Sequence, residues 1–145
     1  MATIETEKVN DLRGLLYLIS KASGGFPFRI RLQKLVLLAK LEAKYPFSFK
    51  YASYFYGPYS PELQSTLGEI ISAGLVKEEN REMINNRSGY FYSLTKEGSD
   101  YLADLAMPVS EKGKLDKLWE KYEKYGTDAL VKVAKEISGI KSIVD

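Results

Sequence analysis

The sequence predicts an α+β fold that is mostly helical, with a small antiparallel hairpin between helices and a helical hairpin at the C-terminal end. Three observations carry this. Apolar residues recur at helical spacing along most of the 145 residues, one stretch near residues 75–94 switches to strand character around an Asn/Gly turn, and Gly or Pro closes most of the periodic runs. A chain of this length makes one domain, or one domain with an appendage. The boundary expected near Met107–Gly113 separates a core of residues 1–107 from a helical hairpin of residues 108–145 packed on or beside it.

Asn10 suits the cap of a first helix of about twelve residues, with Leu12, Leu15, Leu16 and Ile19 as its apolar stripe. Ser23-Gly24-Gly25 stops it, and Phe26-Pro27-Phe28 reads as a short extended link because Pro27 disfavours helix at Phe26. Ile30 to about Lys44 is apolar on nearly all sides, at Leu32, Leu35, Val36 and Ala39 and also at Leu37, Leu38 and Leu41. Such a helix is packed on more than one face and is expected at the centre of the core.

Pro46 ends that helix, and the alternation of Phe47, Phe49 and Tyr51 with Ser48, Lys50 and Ala52 suits an extended segment running to Tyr56. Gly57-Pro58 is a turn signal. Ser60-Pro61-Glu62 is a helix start: the hydroxyl caps free N–H groups, Pro61 fits the first helical position, and Glu62 faces the positive end of the dipole. Leu63, Leu67, Ile70 and Ile71 form the stripe, and Gly74 closes the helix ahead of Leu75. Leu75–Ile84 and Tyr90–Leu94 are then two strands joined by Asn85-Asn86-Arg87-Ser88-Gly89. After Thr95 to Gly98 a short helix runs from Ser99 to about Leu105. Leu115, Leu118, Trp119 and Tyr122 mark the next helix, and Thr127 caps a last one carrying Leu130, Val133, Ala134 and Ile137, ended by Gly139.

Composition excludes more than it selects. The chain has no cysteine and no histidine, which removes disulfides, thiol nucleophiles, Ser-His-Asp and Cys-His catalysis, and zinc sites of Cys/His type. The usual general base at neutral pH goes with them, so a binding module is expected rather than an enzyme, with no catalytic residues, cofactor or metal. Gly24-Gly25 lacks the lysine and spacing of a phosphate-binding loop. Glu78, Glu79 and Glu82 would bring at most two carboxylates to one strand face, and charged strand residues usually serve solvent or edge protection. No secretory leader or membrane span is expected, which places the protein in the cytoplasm and makes the Asn86-Arg87-Ser88 acceptor pattern uninformative. Two Gln among abundant Lys and Glu lean weakly towards a thermophilic source.

The net charge of +2 hides an uneven distribution. Residues 1–50 carry nine Lys/Arg against four Asp/Glu, residues 51–109 four against eight, and residues 110–145 eight against seven. A basic N-terminal third therefore precedes an acidic middle.

Ala73-Gly74-Leu75-Val76, a hairpin, and Tyr92-Ser93-Leu94-Thr95-Lys96-Glu97-Gly98 together resemble winged-helix proteins, in which a helix ending in a G-L-V step precedes a two-stranded wing. Leu32-Gln33-Lys34-Leu35-Val36 with Tyr56-Gly57-Pro58-Tyr59-Ser60-Pro61-Glu62-Leu63 is similar to the SocA/Panacea type of antitoxin-associated domain and to YwgA-like proteins. The resemblance covers about residues 30–105. It implies a winged-helix-like core and a small regulatory or antitoxin-like protein that binds other macromolecules.

Charge opposes the simplest DNA-binding version of that fold. The helix in the recognition position, Pro61 to Ala73, has no Lys or Arg and carries Glu62 and Glu69, whereas nonspecific DNA affinity comes from cations on phosphates. About fifteen residues separate it from the preceding helix, against the 3–4 of a helix-turn-helix. The alternative DNA contacts are Arg29, Arg31 and Lys34 at the start of the second helix and Arg87 at the wing tip, although a solvated helix end accounts for the same cluster. Lys114, Lys117, Lys121 and Lys124 share one sector of a C-terminal helix, as they would in an ordinary amphipathic helix. Tyr51, Tyr54, Phe55, Tyr56 and Tyr59 put five aromatics in nine positions. Such residues either complete a core or form a partner surface, for which Tyr56, Gly57, Pro58 and Tyr59 are the exposed candidates.

Two functions stay open at the level of sequence. One is a non-enzymatic transcriptional-regulator or antitoxin-like module contacting DNA through its basic N-terminal third. The other is a protein-interaction module on a winged-helix scaffold that does not bind DNA. A homodimer through the helical hairpin is compatible with either.

Overall fold

The structure, a computed structural model, describes residues 4–55, 57–83 and 88–143. In chain order the elements are α1 (Ile4–Ser20), β1 (Phe26–Pro27), α2 (Arg29–Leu41), β2 (Ala52–Tyr54), β3 (Gly57–Tyr59), α3 (Pro61–Ser72), β4 (Val76–Glu82), β5 (Ser88–Leu94), α4 (Lys96–Asp104), α5 (Val109–Tyr122) and α6 (Thr127–Ser138). The class is α+β, as expected.

Its apolar residues on every side make α2 the helix around which the others assemble. Every residue from Leu32 to Ala39 is buried, Gln33 and Lys34 included. Leu15, Leu16 and Ile19 of α1, Leu63, Leu67 and Ile70 of α3, and Leu115, Leu118, Tyr122 and Leu130 of α5 and α6 join it in one apolar cluster. The C-terminal helices therefore share the core of the preceding residues. Polar ties reinforce the contact: Tyr17 of α1 and Lys21 just after it both donate to Asp116 Oδ1 on α5, the lysine at 3.0 Å.

A three-stranded antiparallel sheet in the order β1-β5-β4 covers one side, with Phe26 opposite Tyr92 and Val76 opposite Leu94. The link expected at Phe26-Pro27-Phe28 is extended at Phe26 and Pro27, which pair with β5, whereas Phe28 turns to φ 69° ahead of α2. Pro27, which has no N–H to give, is tolerated there because β1 lies at the sheet edge. The tip of the β4–β5 turn, residues 84–87, lies outside the described residues.

Local chemistry explains where several elements begin and end. Ser60 Oγ accepts the Leu63 N–H at 3.2 Å, with Pro61 in the first helical position. Gly74 closes α3 at φ 78°, where Gly74 N–H reaches Ile71 O and Leu75 N–H reaches Ile70 O, both at 3.0 Å. Several boundaries differ from expectation, among them the end of α2 at Leu41 rather than near Lys44 and the start of β5 at Ser88 rather than Tyr90. α1 begins at Ile4, not Asn10; Glu5 and Glu7 favour its positive end, and Asn10 instead accepts from Arg13 Nη2 at 3.1 Å within the helix. α4 begins at Lys96 rather than Ser99, because Thr95 Oγ1 caps it by accepting from Gly98 N at 2.9 Å. α6 is preceded by Gly126 in the cap position, with Thr127 as its first residue and no side-chain cap bond.

The aromatic segment after α2 alternates as expected, with Phe47 and Phe49 buried and Lys50 exposed. Strand pairing starts only at Ala52. Before that, side chains hold the backbone: Asp11 accepts from Ser48 N at 2.8 Å and from its hydroxyl, and Lys40 Nζ donates to Phe49 O at 2.5 Å. Burial raises the Asp11 carboxyl above its ordinary range, against the pull of the two Ser48 hydrogen bonds.

Candidate partner-binding groove

Two neighbouring residues of α2 hold the chain that leads into α3. Gln33 brackets Ser60, donating from Nε2 to Ser60 O at 2.9 Å and accepting Ser60 N–H on Oε1 at 2.8 Å. Lys34 Nζ donates to Pro58 O at 2.5 Å, and Tyr51 OH donates to Gln33 O at 2.8 Å. The two sequence stretches, Leu32–Val36 and 56–63, thus meet through the only two polar residues of the first. The side chains of Gln33 and Lys34 are placed inward because the helix has no solvent face at that turn.

Above this clasp, β2 and β3 form a small hairpin with Ala52 opposite Tyr59 and Tyr54 opposite Gly57. The Tyr54 and Tyr59 rings lie 4.5 Å apart between centroids. Between the hairpin and α2 runs a groove of about 350 Å³ lined by Arg29, Ile30, Lys34, Tyr54, Phe55 and Tyr59, with Gln33, Gly57 and Gln64 completing it. Phe55 is 61% exposed and Tyr54 40%, so the apolar surface continues outside the groove. Ile143, also exposed, donates its N–H to Tyr54 O at 2.9 Å and extends the patch.

Lys34 is 2% exposed. Burial, with a smaller contribution from the Lys135 ammonium, pushes its pKa down to about 8. Among the described residues no carboxylate pairs with it; its hydrogen-bond acceptor is a neutral carbonyl.

The residues expected to contact DNA do not form a free basic cluster. Lys34 is corrected from a surface cation to a buried one, because α2 is covered on every side at that turn. Arg29 donates to Glu78 Oε2 at 2.9 Å and to Tyr92 OH at 2.8 Å, and its guanidinium lies 4.5 Å from the Tyr90 ring centre. Arg31 donates to Tyr125 O at 2.6 Å, which ties α2 to the α5–α6 turn, and burial lowers its pKa. Arg87 lies outside the described residues. On α3, Glu62 and Glu69 are exposed and no cation stands beside them on the helix.

The expected partner turn also needs correcting. Gly57 and Pro58 are buried strand residues rather than an exposed turn, with the aliphatic stem of Lys135 lying over Gly57. Tyr59 is half-buried, and Tyr56 lies outside the described residues. The exposed rings are Tyr54 and Phe55, one step earlier in the chain. Three consecutive aromatics, Tyr54-Phe55-Tyr56, ahead of Gly57 at a hairpin tip were the available signal, since a tip faces solvent whatever its side chains.

Elsewhere several charged groups pair with one another. Glu79 accepts from Lys77 at 3.3 Å and Arg81 at 2.8 Å, while Glu78 serves Arg29 and the Tyr92 hydroxyl. On α5, Lys114 meets Glu111 at 3.1 Å and Lys121 meets Glu42, leaving Lys117 and Lys124 exposed. Although burial works against it, hydrogen bonds from Lys121 and Tyr122 hold the Glu42 carboxyl below its ordinary range. No helix among the described residues is long and apolar enough to cross a membrane.

Fold and groove together define an α+β protein in which a central buried helix clasps an aromatic hairpin. No family model matches the chain. It is 41% identical over 99 residues to the uncharacterised protein YwgA of Bacillus subtilis, a match spanning 65% of this chain. The likeness to YwgA-like proteins carried by the two motifs agrees with that match, which covers 56% of the relative's own length.

Proposed function

We propose that this chain is a non-enzymatic, regulatory or antitoxin-like binding module on a winged-helix-like scaffold, and that it docks a protein partner on the β2–β3 hairpin. The observation that carries the reading is the pair of exposed rings, Tyr54 and Phe55, at the mouth of an aromatic-lined groove held rigidly by the Gln33 and Lys34 clasp. Rigid aromatic surface beside a preformed concavity is typical of binding hot spots. The passage from α3 through Gly74 into the β4–β5 hairpin supports the winged-helix scaffold. The DNA alternative has less support, since Lys34 is buried, the exposed Arg29 is paired with Glu78, and the half-buried Arg31 is engaged by Tyr125 O.

The experiment is affinity capture from the native host with the wild-type chain and with Phe55→Ser and Tyr59→Ala, beside a duplex-DNA titration at two salt concentrations. Loss of a specific protein partner by Phe55→Ser, with only weak and salt-sensitive DNA binding, is the expected result. Tight DNA binding that Arg31→Ala weakens, with partner capture unchanged in both variants, would reverse the assignment.

A further inference from the structure

We propose that the groove between α2 and the β2–β3 hairpin takes a segment of the partner that presents an aspartate or glutamate flanked by apolar side chains, the carboxylate meeting Lys34 and Arg29. The proposal rests on the protein-partner reading of this surface and specifies the chemistry of the bound segment.

Charge complementarity is the argument. The groove lining includes two cations, Arg29 and Lys34, two amides and three aromatic rings, and not one carboxylate. Arg29 has Glu78 as a counter-ion; Lys34 has none, and the charge that acts on it is the like-charged Lys135. An ammonium held 2% exposed against a single backbone carbonyl is a buried charge without a counter-ion, which an approaching anion would stabilise. A carboxylate in the groove would supply that anion, while Gln33 and Gln64 offer amide groups at its edge.

The shape favours a polypeptide over a free small acid. The apolar surface does not end with the groove but continues onto Phe55, 61% exposed, and Ile143, 63% exposed. A ligand confined to the groove would leave these rings and branches in water, whereas residues flanking an acidic side chain would cover them. A nucleic acid is disfavoured because its affinity comes from cations that neutralise successive phosphates, and the groove lining supplies two, enough for one carboxylate but not for a phosphate track.

The test selects peptides from a phage-displayed random library on the full chain, then measures the best binders as fluorescein-labelled peptides beside versions with their acids changed to the amides. The expected result is enrichment of Asp or Glu between apolar residues and at least tenfold weaker binding of the amide versions. Phe55→Ser weakens every peptide, Lys34→Met abolishes the acid preference, and the distal Lys117→Met leaves it intact. Should Lys34→Met fail to fold, Arg29→Gln provides the second reading, with the acid preference reduced at least threefold. Peptides that bind through Phe55 but are indifferent to their acids overturn this inference and leave the protein-partner reading standing. Peptides indifferent to Phe55→Ser, or no enrichment at all, count against both. Random-sequence DNA that binds the wild type and loses affinity with Lys34→Met would place nucleic acid in the groove and also overturn the inference.

Discussion

At the scale of single residues, the two polar side chains in the middle of α2 have opposite consequences for stability. Gln33 satisfies a buried backbone N–H at Ser60 that has no other acceptor, whereas Ser60 O also accepts from Gln64 N at 3.3 Å. Gln33→Leu keeps the volume but orphans that N–H, so a loss of about 1–3 kcal/mol is expected in urea unfolding, with the midpoint lowered and the slope unchanged. Gly98 is constrained by space rather than by charge. A Cβ there would come within 1.9 Å of Leu75 O, a backbone atom fixed by the α3 exit and by the Thr95 N–H at 3.1 Å. Gly98→Ala is expected to cost about 3 kcal/mol or to shift the start of α4, visible as a lowered thermal midpoint. The glycine of the Tyr92–Gly98 motif therefore marks a close approach of two backbones. That role is invisible in the sequence, where the motif served only as a resemblance.

At the scale of elements, what could be read in advance was what local chemistry decides. The Ser60 cap, Pro61 at the first helical turn and the Gly74 exit depend on residues within four positions of each other, and all appear where expected. Ser60→Ala removes the cap acceptor and is expected to cost about 1 kcal/mol, since its backbone stays bracketed by Gln33. Reading Lys34 as a surface cation failed for a reason the sequence did contain. A helix apolar on all sides has no solvent face for a lysine at its centre, so the all-round pattern should have outweighed the habit of placing lysines outside. The β2–β3 pairing was not legible, because its stability comes from clasping residues 24–27 positions away rather than from propensity. The exposed part of the groove was misplaced by one step for the same reason. Removing residues 108–145 would uncover Leu115, Leu118, Tyr122 and Leu130 contacts on α1 and α2. The truncated chain is expected to lose amide chemical-shift dispersion in NMR spectra, and retention of a dispersed spectrum would show that the first 107 residues fold alone.

At the scale of the whole molecule, the uncompensated ammonium of Lys34 makes stability depend on pH in an unusual direction. Its folded pKa is about 8 against an ordinary 10.5, so between those values the unfolded chain holds a proton that the folded chain has released. Stability therefore rises with pH across that window, by up to about 3 kcal/mol, and the folded state carries the full penalty below it. Tyrosines limit the upper end. Burial raises the folded pKa of Tyr45, Tyr51 and Tyr92 above 10, so the unfolded chain ionises its phenols first and stability falls once pH passes that value. Burial and the hydrogen bonds to Asp116 and Glu42 do the same for Tyr17 and Tyr122. The informative range is thus pH 8 to about 10, with Lys135 the charged neighbour acting on Lys34. Urea midpoints of the wild type are expected to climb through that range, while those of Lys34→Met stay flat. At pH 7 the variant loses the bond to Pro58 O but also the buried charge, so its stability should fall near or above that of the wild type. A flat wild-type profile, or a parallel rise in the variant, would mean that Lys34 keeps its ordinary pKa in the folded chain and that its charge is compensated by a group other than a bound carboxylate.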